Sequence, residues 1–168
     1  MAAPQGSVRV HRHDQTLTFR VEGWGTMAHS LPLRRFAEQN LAEGVTAIRV
    51  DLRHCTYMDS TFLGILLFLK RAVDRRGQGE FALLSPSPEC RRLFHQMGLD
   101  TVYPVVTAEE PAADTWTELT GGPEDVPALQ HNVVQAHQEL AGLPGPAGEP
   151  FRAVVRCLER ERHADKAP

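Results

Sequence analysis

Residues 55–71 read CTYMDSTFLGILLFLKR, with the triplet Asp59-Ser60-Thr61 set directly against an apolar stretch that carries no charge until Lys70. The spacing predicts a helix over 61–76. Phe62, Leu63, Ile65, Leu66, Leu67, Phe68, Leu69 and Val73 cover more than one of its faces. A helix that apolar is central to a core or shows part of its surface to a partner. Asp, Ser and Thr are the residues that close the start of such a helix, because a side-chain oxygen accepts from an orphan N–H of the first turn. Ser60 therefore has three readings: a cap, a catalytic nucleophile, or the acceptor of a regulatory phosphate.

Upstream, SVRVHRHDQTLTFRVEG (7–23) alternates apolar and polar residues on both sides of HDQ, with Val8 and Val10 and then Leu17, Phe19 and Val21. That period of two predicts a hairpin. Gly23, Trp24 and Gly25 break the pattern. Leu31, Leu33, Phe36 and Leu41 then recur at helical spacing until Gly44. Because proline fits the first turn of a helix, Pro32 puts the expected start at Ser30 or Leu31. VTAIRVDL (45–52) predicts a strand ending near Leu52. Downstream, EFALLS (80–85) predicts a strand, PSPECRRLFHQMG a short helix closed by Gly98, and TVYPVV (101–106) a last strand. The order β-β-α-β-α-β-α-β predicts an α/β fold, a mixed sheet with an antiparallel N-terminal hairpin followed by parallel strands, flanked by helices.

Residues 107–124 lack periodicity and hold two Pro-or-Gly clusters, which predicts a linker. From Asp125, a plausible cap, Val126, Leu129, Val133, Ala136, Leu140 and Leu143 repeat at threes and fours, and beyond PGPAGEP a second stripe runs through Phe151, Val154, Val155 and Leu158. The expected organisation is a domain over 1–106, an acidic linker over 107–124, a C-terminal helical hairpin over 125–163 and a tail over 164–168. The two stripes can bury each other, cover the domain, or pair with another chain.

Eighteen basic and twenty-one acidic side chains give a net charge of -3. No Lys or Arg occurs between Asp100 and Phe151, where Glu109, Glu110, Asp114, Glu118, Glu124, Asp125, Glu139 and Glu149 lie. This balance argues against nucleic acid. The longest apolar run, Phe62 to Leu69, is far short of the about 20 residues that span a bilayer, so no membrane insertion is expected. Cys55, Cys90 and Cys157 are odd in number and far apart, which predicts buried thiols in a reducing, cytoplasmic setting.

A serine nucleophile needs a base and an oxyanion site. The context Met58-Asp59-Ser60-Thr61-Phe62 has bulky residues where a G-x-S-x-G elbow has glycines, and neither His54 nor His95 is selected as a base. No enzyme is expected. His11 and His13 can share one side of a strand but lack a third ligand, His131 and His137 are six apart on a helix, and no cysteines form a C-x-x-C pair. Surface histidines, no metal and no cofactor are the expectation.

The stretch RVDLRHCTYMDSTFLGILLFLKRA resembles the central segment of STAS domains, the anti-sigma factor antagonist fold of bacteria, in which a strand runs into an Asp-Ser-(Ser/Thr)-Gly-(Leu)-Gly stretch that opens a helix. LTFRVEG with its following helix, and LLSPSPECRRLFHQMGLDTVYPV with its SP turn and GL exit, resemble the flanking elements, so the resemblance covers about residues 7 to 106. Two positions depart. Phe62 stands where the family usually has glycine, and GWGTMAHS lacks the acid of the family's GELD segment.

The resemblance implies a partner-switching regulator. Unphosphorylated, such a protein binds an anti-sigma factor with serine kinase activity and frees a sigma factor; phosphorylation of the serine breaks the complex, and a metal-dependent serine phosphatase restores it. Carried over by position, Ser60 is the phosphoacceptor, Asp59, Thr61 and Phe62 flank it on the docking surface, and Gly25 and Thr26 join from the neighbouring loop. The alternatives are a STAS-type docking subunit of a membrane transport or signalling assembly, in which Ser60 is only a helix cap, and a serine hydrolase using Ser60. Oligomeric state and the role of the C-terminal helices stay open.

Overall fold

The expected hairpin forms from β1 (Ser7–His13) and β2 (Thr16–Gly25), antiparallel, with Asp14 in the left-handed region at the turn (φ 52). The structure is a computed structural model that describes residues 5–112, 115–121 and 125–166. Residues 1–4 of the expected domain, 113–114 and 122–124 of the expected linker and 167–168 of the tail lie outside the described residues. The remaining elements are α1 (Met27–Ala42), β3 (Ala47–Met58), α2 (Ser60–Asp74), β4 (Glu80–Leu84), α3 (Pro88–Gln96), β5 (Val105–Val106), β6 (Thr117–Glu118), α4 (Val126–Ala141) and α5 (Glu149–Ala164). The strands form one mixed sheet in the order β5-β4-β3-β2-β1-β6. β2, β3, β4 and β5 run parallel, and both contacts of β1 are antiparallel.

Leu17, Phe19 and Val21 on β2, Ile48, Val50 and Leu52 on β3, and Phe81 and Leu83 on β4 point to one core, which Leu33 and Ala37 of α1, most of α2, and Cys90 and Phe94 of α3 complete. α2 is buried from Thr61 through Leu69, so its sides meet protein rather than water.

Several boundaries differ from the expectation. β3 runs on to Met58 instead of ending near Leu52, and β2 runs through Gly23 to Gly25. Irregularities in the β2–β3 register between Arg20 and Glu22, and between Gly23 and Trp24, account for the hidden extension. Past Leu52 the buried residues are Cys55 and Met58, a spacing of three that alternation does not reveal. α1 starts at Met27, one turn early, and holds Pro32 inside. Its start is fixed instead at Thr26, whose N–H donates to His29 Nδ1 at 3.2 Å while His29 Nε2 donates to the Gly6 carbonyl at 3.0 Å. β5 is only two residues long, because Pro104 brings no N–H to the ladder and Tyr103 is buried beneath it.

Residues 107–112 and 115–121 lie against the sheet on the face away from the core. Arg53 donates to the Ala108 carbonyl at 3.1 Å, Glu110 lies 3.2 Å from Arg20, the Arg20 guanidinium stacks 4.2 Å from the Trp116 ring centre, and β6 pairs with β1. Beneath this strap Asp51, fully buried, faces Arg53 Nε at 2.9 Å and Arg20 Nε at 3.5 Å. Arg20 is held there by charge and stacking more than by aligned hydrogen bonds.

The C-terminal helices pack on the domain. Ala136, Leu140, Leu143 and Phe151 belong to the same core as the sheet. Two of the possibilities open for the apolar stripes are combined: α4 covers α2, and α5 packs on α4 through Phe151 while Val154 stays exposed.

Candidate functional site

The parallel pairing of β2 with β3 sets Gly25 opposite Met58, so α1 and α2 begin side by side where these two central strands end. A single carboxylate ties the two starts together. Asp59 Oδ1 accepts from the Phe62 N–H at 2.8 Å, and Oδ2 accepts from the Met27 N–H at 2.7 Å. Asp59 is thus the cap of α2 and also serves the first turn of α1. The reading of Ser60 as the cap is corrected: Ser60 is the first helical residue, and its hydroxyl is free of that duty.

Phe62 lies inside the fold. It is 1% exposed, and its ring fills the space a side chain on Gly25 would need, with ring carbons 2.9 Å from where a Cβ would stand. The bulk that departs from the family pattern is therefore turned into the core and paired with a glycine on β2. Thr61 and Gly25 are buried as well, while Asp59 and Thr26 are half-buried and engaged in caps.

Ser60 is half-buried, and its Oγ lies 2.9 Å from Nε2 of His137 on α4. His137 Nδ1 sits 2.7 Å from the Val133 carbonyl, which can only accept, so the proton is on Nδ1 and Nε2 accepts from the Ser60 hydroxyl. His137 is 7% exposed and packs against Phe151, contrary to the expectation of a surface histidine. The sequence held a signal for this: His137 follows Val133 by four and precedes Leu140 by three, on the apolar stripe of α4. His54 and His95, weighed as bases, instead meet Glu110 at 3.5 Å and Asp100 at 3.3 Å.

The Ser60–His137 spacing is that of a nucleophile and base. Nδ1, however, is held by a backbone carbonyl rather than a carboxylate, and α4 lies over the hydroxyl. Four shallow clefts, around Thr18 and Ala82, His95 and Phe151, Glu159 and His163, and Trp24 and His29, include neither Ser60 nor His137. Among the described residues no group of three or more His, Cys, Asp and Glu side chains has the arrangement of a metal site. Cys55 and Cys90 are buried as expected, and Cys157 is exposed, contrary to expectation. The hydrogen bond with Cys90, then burial, pushes the Cys55 thiol well above its ordinary value.

Exposed apolar side chains lie at this end of the sheet. Trp24 and Tyr57 are register partners on β2 and β3 with ring centres 5.3 Å apart, and Tyr57 and Met27 are 43% and 41% exposed. Sequence reasoning missed this patch, since Trp24 and Tyr57 lie in the stretches where alternation fails.

A family model described as Mlab, STAS domain, matches residues 8–107. The chain belongs to the STAS domain family. Solved STAS-fold structures resemble it at low identity. SpoIIAA, the anti-sigma factor antagonist in its unphosphorylated form, is 24% identical over 61% of this chain and 89% of its own, with a TM-score of 0.52. The phosphorylated form of SpoIIAA from Bacillus matches at 24% identity over 61% of this chain and 92% of its own, TM-score 0.52. An anti-sigma factor antagonist from Mycobacterium paratuberculosis matches at 24% over 62% and 89%, TM-score 0.52. At that identity the likeness speaks for the fold, which agrees with the mixed sheet and flanking helices described above. The STAS match ends at residue 107, before α4 and α5. No described helix is long and apolar enough to cross a membrane.

Proposed function

We propose that this STAS protein is a cytoplasmic anti-sigma factor antagonist that works by partner switching. Unphosphorylated, it binds an anti-sigma factor with serine kinase activity; phosphate on Ser60 ends that complex, and a metal-dependent serine phosphatase restores it. The observation that carries the reading is the position of Ser60: first residue of α2, on the motif shared with the family, near the exposed Met27 and Tyr57 and the half-buried Trp24. The positive end of α2 favours an anion on that hydroxyl, so a phosphate does not unfold the helix. In an interface the same dianion is desolvated and stands beside Asp59, which opposes docking. The test is incubation with ATP and an anti-sigma kinase encoded beside this chain's gene, followed by mapping of the phosphate. Label on Ser60, absent from Ser60→Ala, with a Ser60→Asp complex weakened about a hundredfold by a penalty of about 3 kcal/mol, supports the reading. Label elsewhere, or an undiminished Ser60→Asp complex, refutes it.

A second reading is favoured by one observation: the Ser60 hydroxyl is already held by His137. In that case the chain is a docking subunit of a membrane transport or signalling assembly, and Ser60 is a structural contact. Stable co-purification with a membrane complex, with unmodified Ser60, distinguishes it.

A further inference from the structure

Ser60, Gly64 and Arg71 lie along one side of α2, and each is matched by a residue of α4. Ser60 Oγ meets His137 Nε2 at 2.9 Å, Arg71 pairs with Glu139, and Gly64 lies so close that a Cβ on it would stand 2.2 Å from the Ala136 carbonyl oxygen. Asn132 of α4 reaches α1 as well, donating to Ser30 Oγ at 2.9 Å and accepting from Arg34 at 3.3 Å. α4 and α5 hold each other: Phe151 packs on His137, and Arg152 donates to the carbonyls of Ala141, Leu143 and Gly145 at the end of α4. The hairpin can therefore leave the domain as one piece.

We infer that the C-terminal hairpin is an internal occupant of the partner surface: α4 covers the outer face of α2 and sequesters Ser60, so that a protein docking on that face, or a phosphate entering Ser60, displaces it. Three features of the contact carry this. The hydroxyl is engaged by a residue of the hairpin itself. The gap of 2.9 Å between Oγ and Nε2 has no room for a phosphoryl group with its three oxygens, so the imidazole must leave when one is attached. The contact also mixes apolar burial with four polar side-chain pairs at Asn132, His137 and Glu139, groups that water or another protein can satisfy in turn. Ala136 and Leu140 are fully buried, so lifting α4 bares apolar surface on both pieces. The hairpin is thus exchanged rather than merely opened.

Sequestration of Ser60 stands apart from the proposed kinase; only the phosphate arm rests on that reading. The first measurement is alkylation by iodoacetamide of the Ser60→Cys thiol in a Cys157→Ser background, relative to the same thiol in the urea-unfolded chain. With the hairpin seated, modification is expected to be at least tenfold slower, and Gly64→Val, which wedges α4 away, or Glu139→Lys, which sets a like charge against Arg71, should restore most of the rate. The second variant changes only the rim and serves if the first does not fold. Native-state alkylation as fast as in the unfolded chain, or protection unmoved by a folded wedge variant, overturns the inference. The second measurement is hydrogen exchange of α4 in the full chain carrying translationally incorporated phosphoserine at position 60. Exchange at least tenfold faster than in the unmodified chain is expected, and unchanged protection overturns the coupling. If no kinase labels Ser60 yet the alkylation result holds, the proposed function fails and the sequestration stands.

Discussion

The Asp59 carboxylate and the Met27 N–H, 2.7 Å apart, join the first turns of two helices that are neighbours only because β2 and β3 run parallel. With its other oxygen on the Phe62 N–H, Asp59 satisfies an orphan donor on each helix. Loss of one N-cap typically costs about 1 kcal/mol, so Asp59→Ala should cost about 2 kcal/mol. Asp59→Asn keeps one acceptor oxygen and should lose about half as much. Urea denaturation checks this as a lower midpoint with unchanged slope, and it separates the structural duty of Asp59 from any duty in docking.

Gly64 gives a prediction whose sign depends on two opposed magnitudes. Replacing a helical glycine by alanine gains about 1 kcal/mol of helix propensity. Here the new methyl would stand 2.2 Å from a backbone oxygen of α4, and backbone cannot swing aside as a flexible side chain does. Overpacking of this kind costs about 1–3 kcal/mol, so Gly64→Ala should lower the melting temperature or loosen the hairpin instead of stabilising the helix. Thermal unfolding together with hydrogen exchange of α4 tells which.

The buried phenol of Tyr103, which donates to the Leu63 carbonyl at 2.7 Å, predicts a pH dependence. Burial raises its pKa above the ordinary value of 10.0, against a smaller lowering by Arg71. A raised folded value means that the stabilising difference is fully present below the unfolded pKa and is lost as pH rises beyond it, because the unfolded chain ionises first. The urea midpoint should fall above about pH 10, and the fall should be smaller in Tyr103→Phe.

The parts of this fold legible in the sequence are those where period and burial coincide. The hairpin around Val10 and Phe19, the apolar α2, and the alternation of strands and helices follow from local pattern. What was not legible arises where a bulge or a distant contact intervenes. Register irregularities hide the ends of β2 and β3, and with them the Trp24–Tyr57 patch. Asp59 and Ser60 are both good caps, and a one-residue difference in helix start decides between them. Ser60 and His137 are 77 positions apart, and only the packing of α4 on α2 makes them partners.

Phe62 shows how the structure redirects a mutation. As a residue that departs from the family's glycine, it invites a test of binding; buried with its ring against Gly25, it invites a test of stability. Phe62→Ala should cost about 3–5 kcal/mol in urea denaturation, since removing a buried aromatic ring leaves a cavity. Tyr57→Ala should do the reverse. It is 43% exposed and its pairing with Trp24 contributes about 1 kcal/mol, so the fold should lose far less than with Phe62→Ala. If the patch of Trp24, Met27 and Tyr57 is where the anti-sigma kinase docks, an exposed aromatic anchor at its centre is worth about 2 kcal/mol or more, and Tyr57→Ala should weaken the complex at least about thirtyfold. Calorimetric titration of the kinase into each variant checks the contrast: a Tyr57→Ala complex of wild-type affinity moves the docking surface elsewhere, leaving the outer face of α2, under α4, as the remaining ground around Ser60.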